Sequence, residues 1–243
     1  MATKKGYSVR KNVLVKYEKD DSEFIIPDGI EVIGERAFAM RSNLTTVTIP
    51  NSVKRIDPYA FHGCTNLTNI NIPDSITTIG AYAFYLCKNL ASVTIPNGVT
   101  KIGGYAFARC SSITKIDIPK SVTDLGGLPF AECTNITNMT AHSGNPKYHA
   151  DGNCLIDTTD KKIIFGCSNS TIPTDGSVTT IDGYAFKNCQ NLTRLYIPSC
   201  VTTIDRMAFD NCKNLIIVAA AGSPAALYAK ANKIPVEITF EKE

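Results

Sequence analysis

AYAFYLCKNLASVTIP, residues 81–96, carries Tyr82, Phe84, Cys87, Asn89 and Thr94, a mixture that suits the wall of a reactive pocket as well as a structural device. Its recurrence separates the two. YAFHGCTNLTNINIP at 59–73, YAFARCSSITKIDIP at 105–119 and YAFKNCQNLTRLYIP at 184–198 keep the same order of residue types. Phe38, Phe61, Phe84, Phe107 and Phe130 stand 23 apart, and so do Phe186 and Phe209. A fixed period decides the architecture before any local propensity does.

The prolines keep the same step through Pro27, Pro50, Pro73, Pro96 and Pro119, and the pattern resumes at Pro173 and Pro198. Seven copies are present, and the 56 residues from Phe130 to Phe186 place an insertion between the fifth and the sixth. The copies share the approximate pattern I-P-x-x-V-T-x-I-G/D-x-x-A-F-x-x-C-x-N-L-T-x-V-x. Ile70 and Ile72 alternate with polar neighbours as in a short strand, which Pro73 ends by removing a backbone donor. Ile76 and Ile79 form a second apolar leg. Gly80 follows, replaced elsewhere by Asp57, Asp182 and Asp205, residue types that suit a turn. The expected coil is therefore strand, corner, second extended leg, helical or 3₁₀ turn, corner. One such coil cannot bury its apolar face, but stacked coils put Phe on Phe, Leu on Leu and Cys on Cys.

These I-P, V-T-x-I-G, A-F-x-x-C and N-L-T-x-V elements resemble the BspA-like class of bacterial leucine-rich repeats, over roughly Asn12 to Phe240. The resemblance implies a right-handed repeat solenoid, mainly β with short helical or 3₁₀ turns and a parallel sheet on one face. It implies a single solenoid over 1–243: a capping hairpin at 7–26, repeats one to five at 27–141, an inserted hairpin at 142–172, repeats six and seven at 173–221, and a cap of helix and strand at 222–243. Strands are expected near Cys154–Asp157 and Lys162–Cys167. Ser223 as N-cap and Pro224 at the first helical position predict a helix over 223–233.

The 25 basic and 22 acidic residues form no run that would grip nucleic acid. The longest apolar run, Leu215 to Ala221, falls far short of the ~20 residues that span a bilayer. The start MATKKGYSVRKN is basic without an apolar stretch, so the chain as written reads as cytoplasmic; with a leader removed it would read as secreted or surface-bound.

Six of nine cysteines, Cys64, Cys87, Cys110, Cys133, Cys189 and Cys212, share the position three after the Phe and read as a buried column of small thiols. No C-x-x-C pair offers a metal site. A Cys154 to Cys167 bridge is geometrically conceivable, and His142, His149 and Cys154 could meet around a metal, although a loop histidine is more often solvated. Ser112-Ile-Thr-Lys115 matches S-x-x-K only formally, because it enters a strand. Asn43, Asn66, Asn135 and Asn191 fit the glycosylation pattern at a shared turn position. The expectation is no enzyme, no metal and no cofactor.

Recognition would then lie on side chains pointing away from the core. Counting eight and ten residues after each Phe gives Thr46 and Thr48, Asn69 and Asn71, Ser92 and Thr94, Lys115 and Asp117, Asn138 and Thr140, Arg194 and Tyr196, and Ile217 and Ala219. The early pairs are small and neutral. The candidate partner-binding face is Lys115, Asp117, Asn138, Thr140, Arg194 and Tyr196, for a protein or glycan partner of a monomer. The resemblance implies a non-catalytic interaction module, including surface adhesion. The alternative is a structural or intracellular scaffold with no ligand of its own.

Overall fold

The computed structural model describes residues 6–239. The basic first five residues and the last four residues of the 222–243 segment, Phe240 included, lie outside the described residues. The chain forms two compact units that meet in sequence at Asn135 and Ile136.

The first unit opens with an antiparallel hairpin, Tyr7–Arg10 and Val13–Tyr17. Val13–Tyr17 leads into a parallel ladder of two-residue strands: Val32–Ile33, Arg55–Ile56, Thr78–Ile79, Lys101–Ile102 and Asp124–Leu125. These are the second legs of successive coils. The first legs, Glu23–Ile25, Thr46–Thr48 and Asn69–Asn71, form another parallel sheet with Phe24, Val47 and Ile70 in register. Val47 and Ile70 are buried while Thr48 and Asn71 are exposed, which is the pleat's period of two. The step between these paired residues is the 23 of the sequence, so successive coils of this sheet bring equivalent positions side by side.

Between the legs the expected short helical turn takes the form of linked i to i+3 turns. In the third copy Ala83, Tyr85 and Cys87 N–H groups donate back to Gly80, Tyr82 and Phe84 carbonyls, at 3.3, 3.2 and 3.1 Å. The alternate N–H groups of Tyr82, Phe84 and Leu86 donate instead to Gly104, Ala106 and Ala108 of the next coil, at 3.0, 2.7 and 3.0 Å. Backbone donors are thus divided between holding a coil and holding the stack.

The Phe38, Phe61, Phe84, Phe107 and Phe130 rings stack in sequence, with centroids 4.8, 5.2, 5.1 and 5.9 Å apart. Beside them the cysteines do more than fill space. Cys64, Cys87, Cys110 and Cys133 Sγ donate to the carbonyls of Phe38, Phe61, Phe84 and Phe107 at 3.1, 3.2, 3.1 and 3.0 Å. A thiol is small enough for the column and carries a weak donor that gives this carbonyl a second partner besides the N–H three residues on.

In the second unit, which begins with Asn138–Ala141, the insertion is a three-stranded antiparallel meander: Tyr148–Asp151, Cys154–Asp157 and Lys162–Phe165. Its last strand then pairs in parallel with Thr180–Ile181, which pairs with Thr203–Ile204, so the insertion supplies a second leg to the stack. Gly166 follows this strand. A Cβ there would lie 2.1 Å from the Phe186 ring, and its carbonyl accepts from Cys189 Sγ at 3.6 Å, the bond that a Phe carbonyl takes in other coils. Phe186 stacks on Phe209 at 5.0 Å. Arg194–Tyr196, Ile216–Ala220 and Val236–Thr239 make a parallel sheet. Between its last two strands runs the helix Pro224–Ala231, where Ser223 Oγ accepts from Ala226 N–H at 3.3 Å.

All nine cysteines are free thiols. Cys154 and Cys167 are not bridged: Cys167 Sγ donates to Asn169 Oδ1 at 2.9 Å and Cys154 Sγ to Thr171 O at 3.6 Å. Burial pushes the Cys64 and Cys133 thiols up from 9.0 to about 12 and Cys212 to about 11. Native labelling at pH 8 is therefore expected to miss the six column thiols, which react once denaturant is added. Because the fold favours the neutral thiol, this contribution to stability is complete below pH 9 and is lost as pH rises from there toward about 12. Urea midpoints at pH 8 and pH 10.5 check the sign.

Candidate functional site

In the first unit Lys115 and Asp117 are exposed on Lys115–Ile118, whose Ile116 and Ile118 are buried, as the alternation requires. Thr46, Thr48, Asn69 and Asn71 share the outward side of their own sheet. Ile25, paired with Thr48 at the edge of that sheet, is 72% exposed, an apolar residue that the count from each Phe passes over.

In the second unit Asn138 is exposed and Thr140 half-buried. The insertion grips this strand from the side: Met139 N–H donates to Asn153 Oδ1 at 3.2 Å, and Asn169 Nδ2 donates to Thr137 O at 2.9 Å. Asn138–Ala141 is not a member of the sheet that holds Arg194 and Tyr196. His142 makes a local contact, its Nδ1 accepting from Gly144 N–H at 2.9 Å. Among the described residues no three His, Cys, Asp or Glu side chains come together around a possible metal.

Arg194 is exposed, yet its charge is engaged. Its Nη2 and Nε donate to one carboxylate oxygen of Glu237 at 2.9 and 3.2 Å. Tyr196, Val218 and Glu237 lie side by side in register on the same side of the sheet. Val218 is buried there, so the outward face carries an apolar centre under a salt-bridged edge.

Ile217 and Ala219, expected to point outward, are buried in the core instead. Arg194 pairs with Ile216, a step of 22 where the earlier strands step by 23. A one-residue slip exchanges the two faces of a strand. Ile216-Ile217-Val218-Ala219 has no polar alternation to oppose it.

The largest feature that the count from each Phe missed is aromatic. Tyr59, Tyr82 and Tyr105, each two before a Phe, have φ of +60°, +56° and +55°. Their half-buried rings stack at 4.9 and 5.0 Å, 2° and 8° from parallel. His62 and Tyr85 form a second row, 5.3 Å apart and 4° from parallel. The Arg36 guanidinium sits 4.5 Å from the Tyr59 ring and the Arg109 guanidinium 5.8 Å from that of Tyr85. Burial, followed by the Arg36 charge, lowers the His62 pKa and keeps the imidazole neutral at pH 7. Burial, then the neighbouring tyrosines, raises that of Tyr82. The signal in the sequence was the repeated Tyr-Ala-Phe triplet.

Among solved structures the fold matches a leucine-rich repeat protein from Eubacterium ventriosum with 24% identity and a TM-score of 0.66, over 86% of this chain and 66% of that one. This chain thus spans just under two thirds of that protein's length. It matches a leucine-rich cell surface protein from Faecalibacterium prausnitzii with 20% identity and a TM-score of 0.61, over 99% and 95% of the two chains. The pneumococcal vaccine antigen PcpA matches with 14% identity and a TM-score of 0.61, over 98% of each. Among proteins with curated descriptions none matches. The BspA type leucine-rich repeat region matches residues 16–145 and 155–228 in six copies, and with the Phe and Cys columns already in place the chain belongs to that family.

Proposed function

We propose that the chain is a non-catalytic protein-interaction module acting at a bacterial cell surface, with its partner contacts on the outside of the coils. The observation that carries this is the stacked row Tyr59, Tyr82 and Tyr105 with Arg36 at its end. Tyrosine and arginine are the residue types that dominate binding energy at interfaces. Rings already held by their neighbours lose little conformational freedom when a partner arrives. The exposed Met40, two residues after Phe38, adds an adaptable apolar edge to the same unit.

Lys115 and Asp117 belong to the proposed contact set of the first unit. Arg194, Tyr196, Asn138 and Thr140 form that of the second. Placement at the cell surface takes its support from the Faecalibacterium protein described as such.

The test is a quantitative pulldown from bacterial and host lysates, with a glycan array alongside. Wild type is compared with Tyr59→Ser/Tyr82→Ser/Tyr105→Ser and with Arg194→Ala/Tyr196→Ala. The exposed Arg194–Glu237 pair contributes about 0–1 kcal/mol, so the second variant is expected to stay folded. The row variant is expected to weaken a saturable partner by about tenfold or more, and the sheet variant by more than ~1 kcal/mol. Full affinity in both folded variants would remove the proposed contact set. Capture by glycans alone would replace the protein partner.

A further inference from the structure

The second unit ends in a cavity of about 370 Å³ between the last coil and the turn after the helix Pro224–Ala231. Within the stack, Phe186 and Asn188 N–H groups donate at 2.9 and 3.0 Å to the carbonyls of Ala208 and Asp210, two residues apart on the following coil. Phe209 and Asn211 hold the same positions one coil later. Their N–H groups donate to no acceptor among the described residues, and both residues line the cavity. Met207 differs, because its N–H is taken by Asp205 Oδ1 at 2.8 Å.

Arg206, Lys213 and Lys233 also line the cavity and form no ion pair among the described residues. Its one acid, Asp210, is paired with Lys187 at 3.6 Å. Phe209 and Tyr228, in edge contact at 5.9 Å, give it an aromatic wall, and Tyr228 is fixed by its hydroxyl donating to Arg206 O at 3.1 Å. Two backbone donors, an excess of cations and an apolar wall select an anion carried on an apolar chain.

From these we infer that the cavity binds the C-terminal carboxylate of a peptide, seated as the start of the missing next coil. The donors on Phe209 and Asn211 require two acceptors at the spacing of residues i and i+2. A peptide end meets this with the carbonyl of its third-last residue and its terminal carboxylate. Lys213, next but one to Asn211, neutralises the carboxylate together with Lys233, and an apolar terminal side chain covers Phe209 and Tyr228. Capture of a chain end by backbone donors and cations is an established mode of peptide recognition. A free apolar acid has the same charge but only one of the two acceptors.

The experiment uses the full chain and a fluorescein-labelled Gly-Ser-Ala-Ala-Leu peptide with a free carboxylate, its C-terminal amide, and 3-phenylpropionate. Anisotropy is expected to show saturable binding of the acid, at least tenfold weaker binding of the amide, and competition by 3-phenylpropionate only at far higher concentration. Lys213→Ala/Lys233→Ala is expected to reduce acid binding at least tenfold with an unchanged circular dichroism spectrum, since both side chains are exposed. Amide nitrogen–proton spectra should show the largest shifts at Phe209 and Asn211. Arg194→Ala/Tyr196→Ala should bind the peptide as wild type does, which keeps this site distinct from the sheet face. Equal binding of acid and amide, full affinity in the lysine variant, amide shifts elsewhere, or no saturable binding at millimolar peptide would each overturn the inference. Stronger binding of 3-phenylpropionate than of the peptide would also overturn it, in favour of a small-acid site.

Discussion

Phe84→Ala is expected to destabilise the first unit by about 3–5 kcal/mol, the cost of removing a fully buried ring and leaving a cavity. The ring has neighbours on both sides, Phe61 at 5.2 Å and Phe107 at 5.1 Å. Neither can readily collapse into the space, because each backbone is tied to the following coil. Phe61, Phe84 and Phe107 N–H groups donate to Ala83, Ala106 and Pro129 carbonyls at 2.7, 2.7 and 2.8 Å. The loss falls on two coil interfaces at once, and in a stack with nearest-neighbour coupling it weakens the coils on either side as well. Such a change consumes a large share of the ~5–15 kcal/mol that holds an ordinary domain together. Urea unfolding followed by circular dichroism measures it. A loss below about 1 kcal/mol would mean that the phenylalanine column is not the spine of the unit.

That column was legible because it repeats. The 23-residue step recurs five times for Phe, four times for Cys and four times for the Ile-Pro pair, and coincidences of spacing in three residue types outweigh any single-residue propensity. The helix start was legible for a local reason: serine before proline satisfies the first free N–H groups and presets the first turn. The donor role of the cysteines was not legible. Spacing marks them as inward, but it does not encode that each Sγ meets the carbonyl of the Phe 26 positions earlier, one coil back.

The candidate surfaces were harder to foresee, because each depends on something other than the average repeat. Tyr59, Tyr82 and Tyr105 adopt positive φ, which a non-glycine residue adopts at a cost; the stacking of the coil fixes it, and no residue type announces it. Arg194 finds Glu237 two strands away because Ile216–Ala220 lies between them in the sheet, a partnership across 43 residues that periodicity does not encode. Ile217 and Ala219 turn inward because an unbroken apolar run leaves the register to tertiary packing. Outward positions could be counted where polar and apolar residues alternate, as at Lys115 to Ile118, and could not be counted where they do not.

Deleting residues 222–243 is expected to convert the chain into oligomers or an insoluble product, a larger effect than that of any surface substitution. The helix Pro224–Ala231 buries Ala225, Ala226 and Ala229 in one cluster with Phe209, Leu215, Ile217 and Ala219. Val236–Thr239 covers the open edge of Ile216–Ala220. Removing both bares an apolar surface and a row of unpaired backbone groups together, and a long, apolar, unpaired edge is a template for joining other chains. By contrast Ser223→Ala, which removes only the cap bond to Ala226 N–H, is expected to cost about 1 kcal/mol and to leave the chain monomeric. Light scattering after size-exclusion chromatography separates the two results. A truncated chain that stays monomeric with an unchanged melting temperature would show that the last coil closes itself, with Ile217 and Ala219 tolerating water that the full chain keeps away from them.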